Sequence, residues 1–410
     1  MMRRFALFFT LLLWIIPFGY AQTEQLGSEK PSFGGFVEQD SLQISLLTCS
    51  PGPEVYALYG HTALRVVNHN NGSDLVFNYG SFNMAEPNFI LKFMLGLLDY
   101  ELGLVPFERF WMHYSNDGCD ITQQELNLTP EEKARFYQVL AVNYLPENRG
   151  YRYNFLYDNC STRPRDIIAS VIDGELQWND QDSDLTYRKL MHQCNDPWPW
   201  SRLGVDLVLG QAADKKISPR EQEFLPVYLL DHLNEAVIRN AQGQVRPMVA
   251  NTTVLKAVRP LDDSKEFFQT PLQCITVLLV FVLILAHVEI KKHKLYWGVD
   301  VLFHLAQGIA GVLIFILFFF SEHPTVNTNW LLWIFNPIPL LYLPVMIYCR
   351  VKSMKEPYHV FNAVWLFLFV LASMVIPQDL PIESIYAATV LMIRSMSHVR
   401  HDYLSKTVMQ

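Results

Sequence analysis

The chain predicts an α+β exported domain followed by an all-α transmembrane domain of five helices. Three observations carry that prediction. Half of the 410 residues are hydrophobic and only 18% are charged, an imbalance concentrated in the C-terminal part. Residues 22–265 instead mix alternating stretches with helix-start signals, as a soluble domain large enough for a full core does. The chain also opens like a secretory signal: Arg3 and Arg4, the apolar run Phe5 to Phe18, then Gly19-Tyr20-Ala21. Cleavage after Ala21 gives residues 1–21 as a signal peptide, and an uncleaved anchor helix is the rival reading. Either would export the domain that begins at Gln22. A net charge of −8, with no cluster of basic and aromatic residues, argues against a nucleic-acid surface.

In the exported domain, Leu42 to Cys49 reads as a strand and Ser50-Pro51-Gly52-Pro53 as a turn, with a short helical turn over Glu54 to Tyr59. His61 to Val67 and Leu75 to Tyr79 read as strands joined by the hairpin chemistry of Asn70-Asn71-Gly72-Ser73-Asp74. Phe89 to Leu98 is apolar but too short to span a bilayer. It is expected either to pack in the core or to lie on the membrane. Asp120 to Leu128 reads as a strand. Thr129-Pro130-Glu131-Glu132 has the N-cap, N1 proline and N3 carboxylate of a helix start, and that helix is expected to reach Leu145. Another helix is expected from Cys160 to Ile172, a polar linker at Asn179 to Asp184, and an aromatic, apolar stretch from Pro197 to Gly210. A helix capped at Ser218 should reach Asn240, and Asn251 to Glu266 reads as a tether.

Residues 266–410 hold five apolar runs long enough, or nearly so, to cross a bilayer: about 271–290, 296–320, 329–349, 358–376 and 384–400. The last is short and contains Arg394, so the far end of that span is expected at the interface. Lys291, Lys292 and Lys294 follow the first run, Arg350, Lys352 and Lys355 the third, and Arg400 and Lys406 lie in the tail. The intervening loops carry acidic residues without lysine or arginine. The positive-inside rule then leaves the N-terminal domain outside the cytoplasm and the C-terminus inside, as a multi-pass protein of the inner membrane. His304, Asp300 and His287 lie near span ends, where a histidine is commonly interfacial. No span shows the central ionisable chain of a transporter.

Tyr157-Asp158-Asn159-Cys160-Ser161-Thr162-Arg163 carries the chemistry. A cysteine at a helix start meets unpaired N–H groups and the positive end of the helix dipole, which favour the nucleophilic thiolate. His61 is the candidate base. Asn78, on the paired hairpin strand, is the candidate to orient the imidazole. Each has an ordinary alternative: a small buried hydrophobe, a core histidine, a hairpin amide. Tyr59, Asp158, Asn159, Ser161 and Arg163 flank the pair in sequence and are the expected substrate-binding residues. No cofactor is implied. No Cys or His spacing suggests zinc, His113 near Cys119 being a weak signal.

Thr48-Cys49-Ser50-Pro51-Gly52, Tyr59-Gly60-His61-Thr62-Ala63-Leu64-Arg65-Val66 and the Cys160 segment together resemble the Lnb N-terminal periplasmic domain. Pro197 to Gly210 and Phe224-Leu225-Pro226 are similar to that family too, and the apolar half resembles the Lnb-like membrane domain. The order of His first and Asn-Cys later resembles circularly permuted papain-like folds (NlpC/P60 and lecithin–retinol acyltransferase). The resemblance implies lipoprotein N-acylation in bacteria of the Bacteroides group. Cys160 would take an acyl chain from a phospholipid as a thioester, and the α-amino group of a diacylglyceryl-cysteine lipoprotein would attack it. Partners are then a phospholipid donor, a lipoprotein acceptor and the bilayer. A cysteine hydrolase (cell-wall amidase, peptidase or phospholipase) and a non-catalytic membrane scaffold are the competing readings. With Cys160 free, Cys49, Cys119 and Cys194 allow at most one disulfide, Cys119–Cys194 being one choice.

Overall fold

Apolar side chains at alternate positions give an antiparallel sheet two faces, and both are covered here. A computed structural model describes residues 41–52, 54–83, 86–178, 184–260 and 270–404. The expected signal segment, nearly all of the polar linker and the end of the expected tether lie outside those residues. The described chain forms two units, Met1–Cys194 with Lys216–Ser264, and Asn195–Lys215 with Lys265–Gln410.

In the first unit the strands are β1 (Leu42–Cys49), β2 (His61–Asn68), β3 (Ser73–Ser81), β4 (Asp99–Pro106), β5 (Ile121–Leu126), β6 (Gly150–Arg152), β7 (Glu175–Gln177), β8 (Val237–Arg239), β9 (Val245–Pro247) and β10 (Val249–Leu255). Seven of them form one sheet in the order β10-β5-β1-β2-β3-β4-β6, and β7-β8-β9 form a second. Up to residue 235 the helices of both units, in chain order, are α1 (Phe89–Leu95), α2 (Phe107–Asn116), α3 (Pro130–Asn143), α4 (Thr162–Val171), α5 (Tyr187–Asn195), α6 (Pro199–Val208), α7 (Pro219–Gln222) and α8 (Pro226–Glu235). One sheet face buries Ile44, Leu46, Leu64, Phe77 and Tyr79 together with Phe136 of α3 and Ile168 of α4. The other buries Leu47, Ala63 and Val76 against Phe110 of α2.

Two expected capping boxes form, at Thr129 with Glu132 and at Ser218 with Glu221. Other local expectations are corrected. The helix started by Ser218 ends at Gln222 and a new one begins at Pro226, because that proline suits a first turn better than a helix interior. The expected tether begins as β10, an edge strand that pairs with β5 from Val249 to Leu255. The Pro197 to Gly210 stretch, expected in the exported domain, contains α6 and groups with the second unit. There the Asn329 amide donates to the Leu207 and Val208 carbonyls, at 2.8 and 3.3 Å, and Gln378 donates to Leu209 O. A Cβ at Gly210 would lie 2.5 Å from Thr325 O, so that approach requires glycine.

The second unit continues with α9 (Pro271–Lys292), α10 (Gly298–Phe320), α11 (Ile338–Val351), α12 (Tyr358–Ala372) and α13 (Ile382–Val399). Three helical stretches among the described residues are long and apolar enough to cross a membrane: Pro271–Lys292, Gly298–Phe320 and Trp330–Val351, with mean hydropathies of 2.4, 2.3 and 1.7. Tyr358–Ala372 is apolar but shorter. The unit is inside out relative to a water-soluble bundle. Val277, Val280, Phe281 and Ile284 of α9 are exposed, while Glu289, Asp300, His304, Arg394 and His398 are buried. Arg394 is only 2% exposed because two carboxylates neutralise it from within the bundle.

Candidate active site

The β2–β3 hairpin fixes two of the three residues. Its register pairs Leu64 with Phe77 and Arg65 with Val76. Continued toward the open end, it sets Asn78 opposite Ala63 and diagonal to His61, on the same face. His61 Nε2 and Asn78 Oδ1 are 2.5 Å apart. An amide oxygen only accepts, so Nε2 carries the proton and Nδ1 is left for the thiol. The Tyr114 ring of α2 stacks on the imidazole, centroids 5.7 Å apart and planes 11° apart, which fixes its orientation. Gly60 supplies the sharp entry into β2. It has φ +75°, and a Cβ there would lie 2.7 Å from Cys49 O.

Cys160 arrives from the loop before α4. A bulge in β3 between Tyr79 and Ser81 puts Gly80, with φ +96°, at the meeting point. A Cβ built on Gly80 would lie 3.7 Å from Cys160 Cβ and 3.8 Å from His61 Cε1, so the backbone of β3 is the floor between thiol and base. A side chain there would be strained by its φ, and its Cβ would touch both groups at ordinary van der Waals distance.

Electrostatics favour the ion pair. Burial pushes the Cys160 thiol up, but three influences outweigh it: the His61 charge, the His61 hydrogen bond, and the backbone N–H groups of Thr62 and Cys160. The thiol therefore ionises below its ordinary range. Burial alone would lower His61; the Cys160 charge and hydrogen bonds to Cys160 and Asn78 raise it instead. Both shifts favour a thiolate beside an imidazolium, the charge state that a thiol nucleophile with a histidine partner uses. Cys49 is the contrasting thiol: buried, with burial pushing its pKa far up.

The flanking residues divide. Asn159 is buried and its side chain ties the loop together and to a distant segment. Its Oδ1 accepts from the N–H groups of Ser161 and Thr162, and its Nδ2 donates to the Phe155 and Phe224 carbonyls. Ser161 is fully buried, with Oγ donating to Glu223 O at 2.8 Å. Asn159 and Ser161 shape the turn that presents Cys160, because a buried loop must satisfy its own polar groups. Asp158 and Arg163 form a two-point ion pair at 2.5 and 2.8 Å, and Arg163 lies 3.6 Å from the Tyr151 ring centroid. Tyr157 is exposed and meets Tyr187 edge-on, and Tyr59 is partly exposed just before Gly60. All six cysteines are free, so the suggested Cys119–Cys194 bridge is absent. Burial pushes both thiols up to about 11.

An aromatic wall around the thiol was not foreseen from the sequence. Tyr100 of β4 stacks on Tyr153, centroids 4.1 Å apart, and both rings feel the Cys160 charge. Phe82 lies 5.1 Å from Tyr100 and 5.7 Å from Phe89, which stacks on Phe93 of α1. None of the seven residues of α1 is buried, and Ile90, Leu91 and Phe93 are exposed. The alternation of Tyr100, Leu102 and Leu104 was the available signal for β4.

Replacing Asn78 by Ala removes the acceptor that holds Nε2. The expected result is a fall in kcat on the order of 10²-fold with little change in KM, the effect of misplacing a reacting group. Asn78→Asp, which keeps the acceptor, should recover part of it. A pH profile of Cys160 alkylation should shift upward in Asn78→Ala. An unmoved profile assigns Asn78 to the hairpin alone.

Residues 29–193 match the family described as the Lnb N-terminal periplasmic domain, and residues 262–406 match the Lnb transmembrane domain. No curated protein and no solved structure matches the chain.

Proposed function

We propose, for a chain that belongs to the Lnb family through both its periplasmic and its transmembrane domain, that Cys160 relays an acyl group between two lipids. In this reading the protein is a membrane-bound lipoprotein N-acyltransferase of the inner membrane, with its C-terminus in the cytoplasm. The observation that carries it is the connected set Asn78–His61–Cys160, in which the thiol is shifted down and the imidazole up, in a chain that also carries helices long and apolar enough to cross a membrane. The chain order, histidine strand first and Asn-Cys later, supports a circularly permuted papain-like fold for the periplasmic domain.

In the first step the Cys160 thiolate attacks a phospholipid ester carbonyl. The tetrahedral intermediate expels the lysophospholipid alkoxide, which takes its proton from the His61 imidazolium. Once the sulfur is acylated it carries no negative charge. The Cys160 N–H then becomes available to the oxyanion of the second step. There the lipoprotein α-amine attacks the thioester, neutral His61 accepts its proton, and the thiolate leaves. An amine attacks a thioester readily, and an apolar site that excludes water protects the intermediate from hydrolysis.

The aromatic ladder from Phe93 through Phe89, Phe82 and Tyr100 to Tyr153 supports an acyl chain as substrate. It joins an exposed apolar helix to the surroundings of the thiol. Phe93→Glu on that helix should raise KM for phospholipid while leaving the alkylation rate of Cys160 by iodoacetamide unchanged. Equal loss in both assays would mean a general structural defect, and no change in KM would detach the ladder from lipid binding.

The function is tested in a strain depleted of its own lipoprotein N-acyltransferase. Mass spectrometry of lipoprotein N-termini should show conversion from diacylated to triacylated forms when the protein is made. Lipoproteins that stay diacylated while the protein is inserted in the membrane would sink the reading. Release of free fatty acid or muropeptides without N-acylation would favour a cysteine hydrolase.

A further inference from the structure

One end of the second unit, where α9, α11 and α13 finish and α10 and α12 begin, holds a buried polar cluster that the thiol chemistry does not use. Glu289, Asp300, Glu356 and Asp402 are each more than nine-tenths buried. Arg394 bridges Glu289 and Asp300, with contacts of 2.8 to 3.0 Å. Arg350 donates to both Asp402 oxygens, at 2.8 and 2.7 Å, and to Glu356. Four carboxylates thus face two guanidiniums. Two negative charges are left over in a buried region, where an uncompensated charge is strongly disfavoured.

Three buried histidines border that excess. His398 Nε2–H donates to Asp300 Oδ2 at 2.8 Å, which leaves Nδ1 as the nitrogen that faces the rest of the cluster. That Nδ1 lies 3.5 Å from Glu356 Oε1. His359 has Nδ1 3.4 Å from Ser395 Oγ and Nε2 3.7 Å from the same Glu356 oxygen. Neither His359 Nε2 nor His398 Nδ1 makes a well-formed hydrogen bond, and both are fully shielded from solvent. The third, His304, has Nδ1 on the Asp300 carbonyl. Two imidazoliums are a poor way to supply the missing charge, because the His359 and His398 rings are only 3.6 Å apart.

We propose that Glu356, His359 and His398 bind a divalent transition-metal ion of the Zn²⁺ type. Their donor atoms all lie within 4.8 Å of one another. Ligand bonds of about 2.0–2.1 Å put neighbouring tetrahedral ligand atoms roughly 3.4 Å apart, close to the two separations from Glu356 Oε1. One dication cancels the two excess charges. Asp300 on the far nitrogen of His398 is the carboxylate–histidine–metal arrangement that fixes tautomer and ring orientation. Mixed imidazole and carboxylate donors without thiolate suit Zn²⁺, Co²⁺ or Fe²⁺ rather than Cu⁺ or Ca²⁺. The ion clips the start of α12 to the end of α13. The only local sequence signal is the Glu356-x-x-His359 spacing; His398 joins it through the fold.

The test uses the full-length protein in detergent, stripped with chelator and then incubated with Co²⁺ or Zn²⁺ and desalted. One ion per chain should be retained. The Co²⁺ form should show visible d–d bands of a low-coordinate nitrogen and oxygen site, without thiolate charge-transfer absorption. His359→Gln with His398→Gln should lose the ion, and Asp300→Asn should weaken binding roughly 10–100-fold. Cys160→Ser should retain it. If the double variant does not fold, the wild-type Co²⁺ spectrum decides. Failure of the wild-type protein to retain any ion, retention by the folded double variant, or thiolate charge-transfer bands would each overturn the proposal.

Discussion

Cys160→Ser should abolish N-acylation, with a loss of at least about 10³-fold, while the protein is still made and inserted. The substitution is nearly isosteric, so the Asn159 turn and α4 should persist. What disappears is the ionised nucleophile. In the wild-type protein the His61 imidazolium and two backbone N–H groups hold the thiol below its ordinary pKa against the opposing effect of burial. A serine hydroxyl starts far higher and stays protonated beside the same groups. Any oxyester it did form would also be a poorer acyl donor to an amine. Lipoprotein N-termini should therefore remain diacylated. Wild-type acylation by Cys160→Ser would remove the thiol from the mechanism.

His61→Gln carries the second large effect, a loss on the order of 10²–10⁴-fold in turnover for removal of the acid–base group. The pH dependence gives a separate reading. With His61 present, burial raises the thiol and the imidazolium lowers it by more, so thiolate persists into the range below a free thiol's pKa. Alkylation by iodoacetamide should accordingly be fast at neutral pH. In His61→Gln only the raising effect of burial and the weaker backbone donors remain. The inflection must move to higher pH and the neutral rate must fall. An unchanged alkylation profile in a folded His61→Gln variant would show that the two side chains are not an ion pair.

Much of this site was legible because its determinants are local. The Asn70-Asn71-Gly72 hairpin set the register that puts His61 and Asn78 on one face, and the polar run ending in Cys160 marked a helix start. What the flanking side chains hold in place was less legible. Asp158, Asn159, Ser161 and Arg163 looked available because they are polar, yet their partners lie partly on distant segments: Phe224 and Glu223 for Asn159 and Ser161, Tyr151 for Arg163. The edge strand β10 looked like a tether because its side chains are mostly exposed; only backbone pairing with β5 makes it a strand. The burial of Arg394 was not legible because its counter-charges, Glu289 and Asp300, are more than ninety residues away in sequence. Charge on a single segment says nothing about such partners.

The most direct test of the relay is the intact mass of the purified protein after incubation with phospholipid and no acceptor. An acyl relay predicts an added acyl mass on Cys160, absent in Cys160→Ser and discharged by a diacylglyceryl-cysteine peptide with formation of the N-acylated product. Turnover of phospholipid into N-acylated peptide with no adduct ever trapped on Cys160, or an adduct that persists in Cys160→Ser, would contradict it.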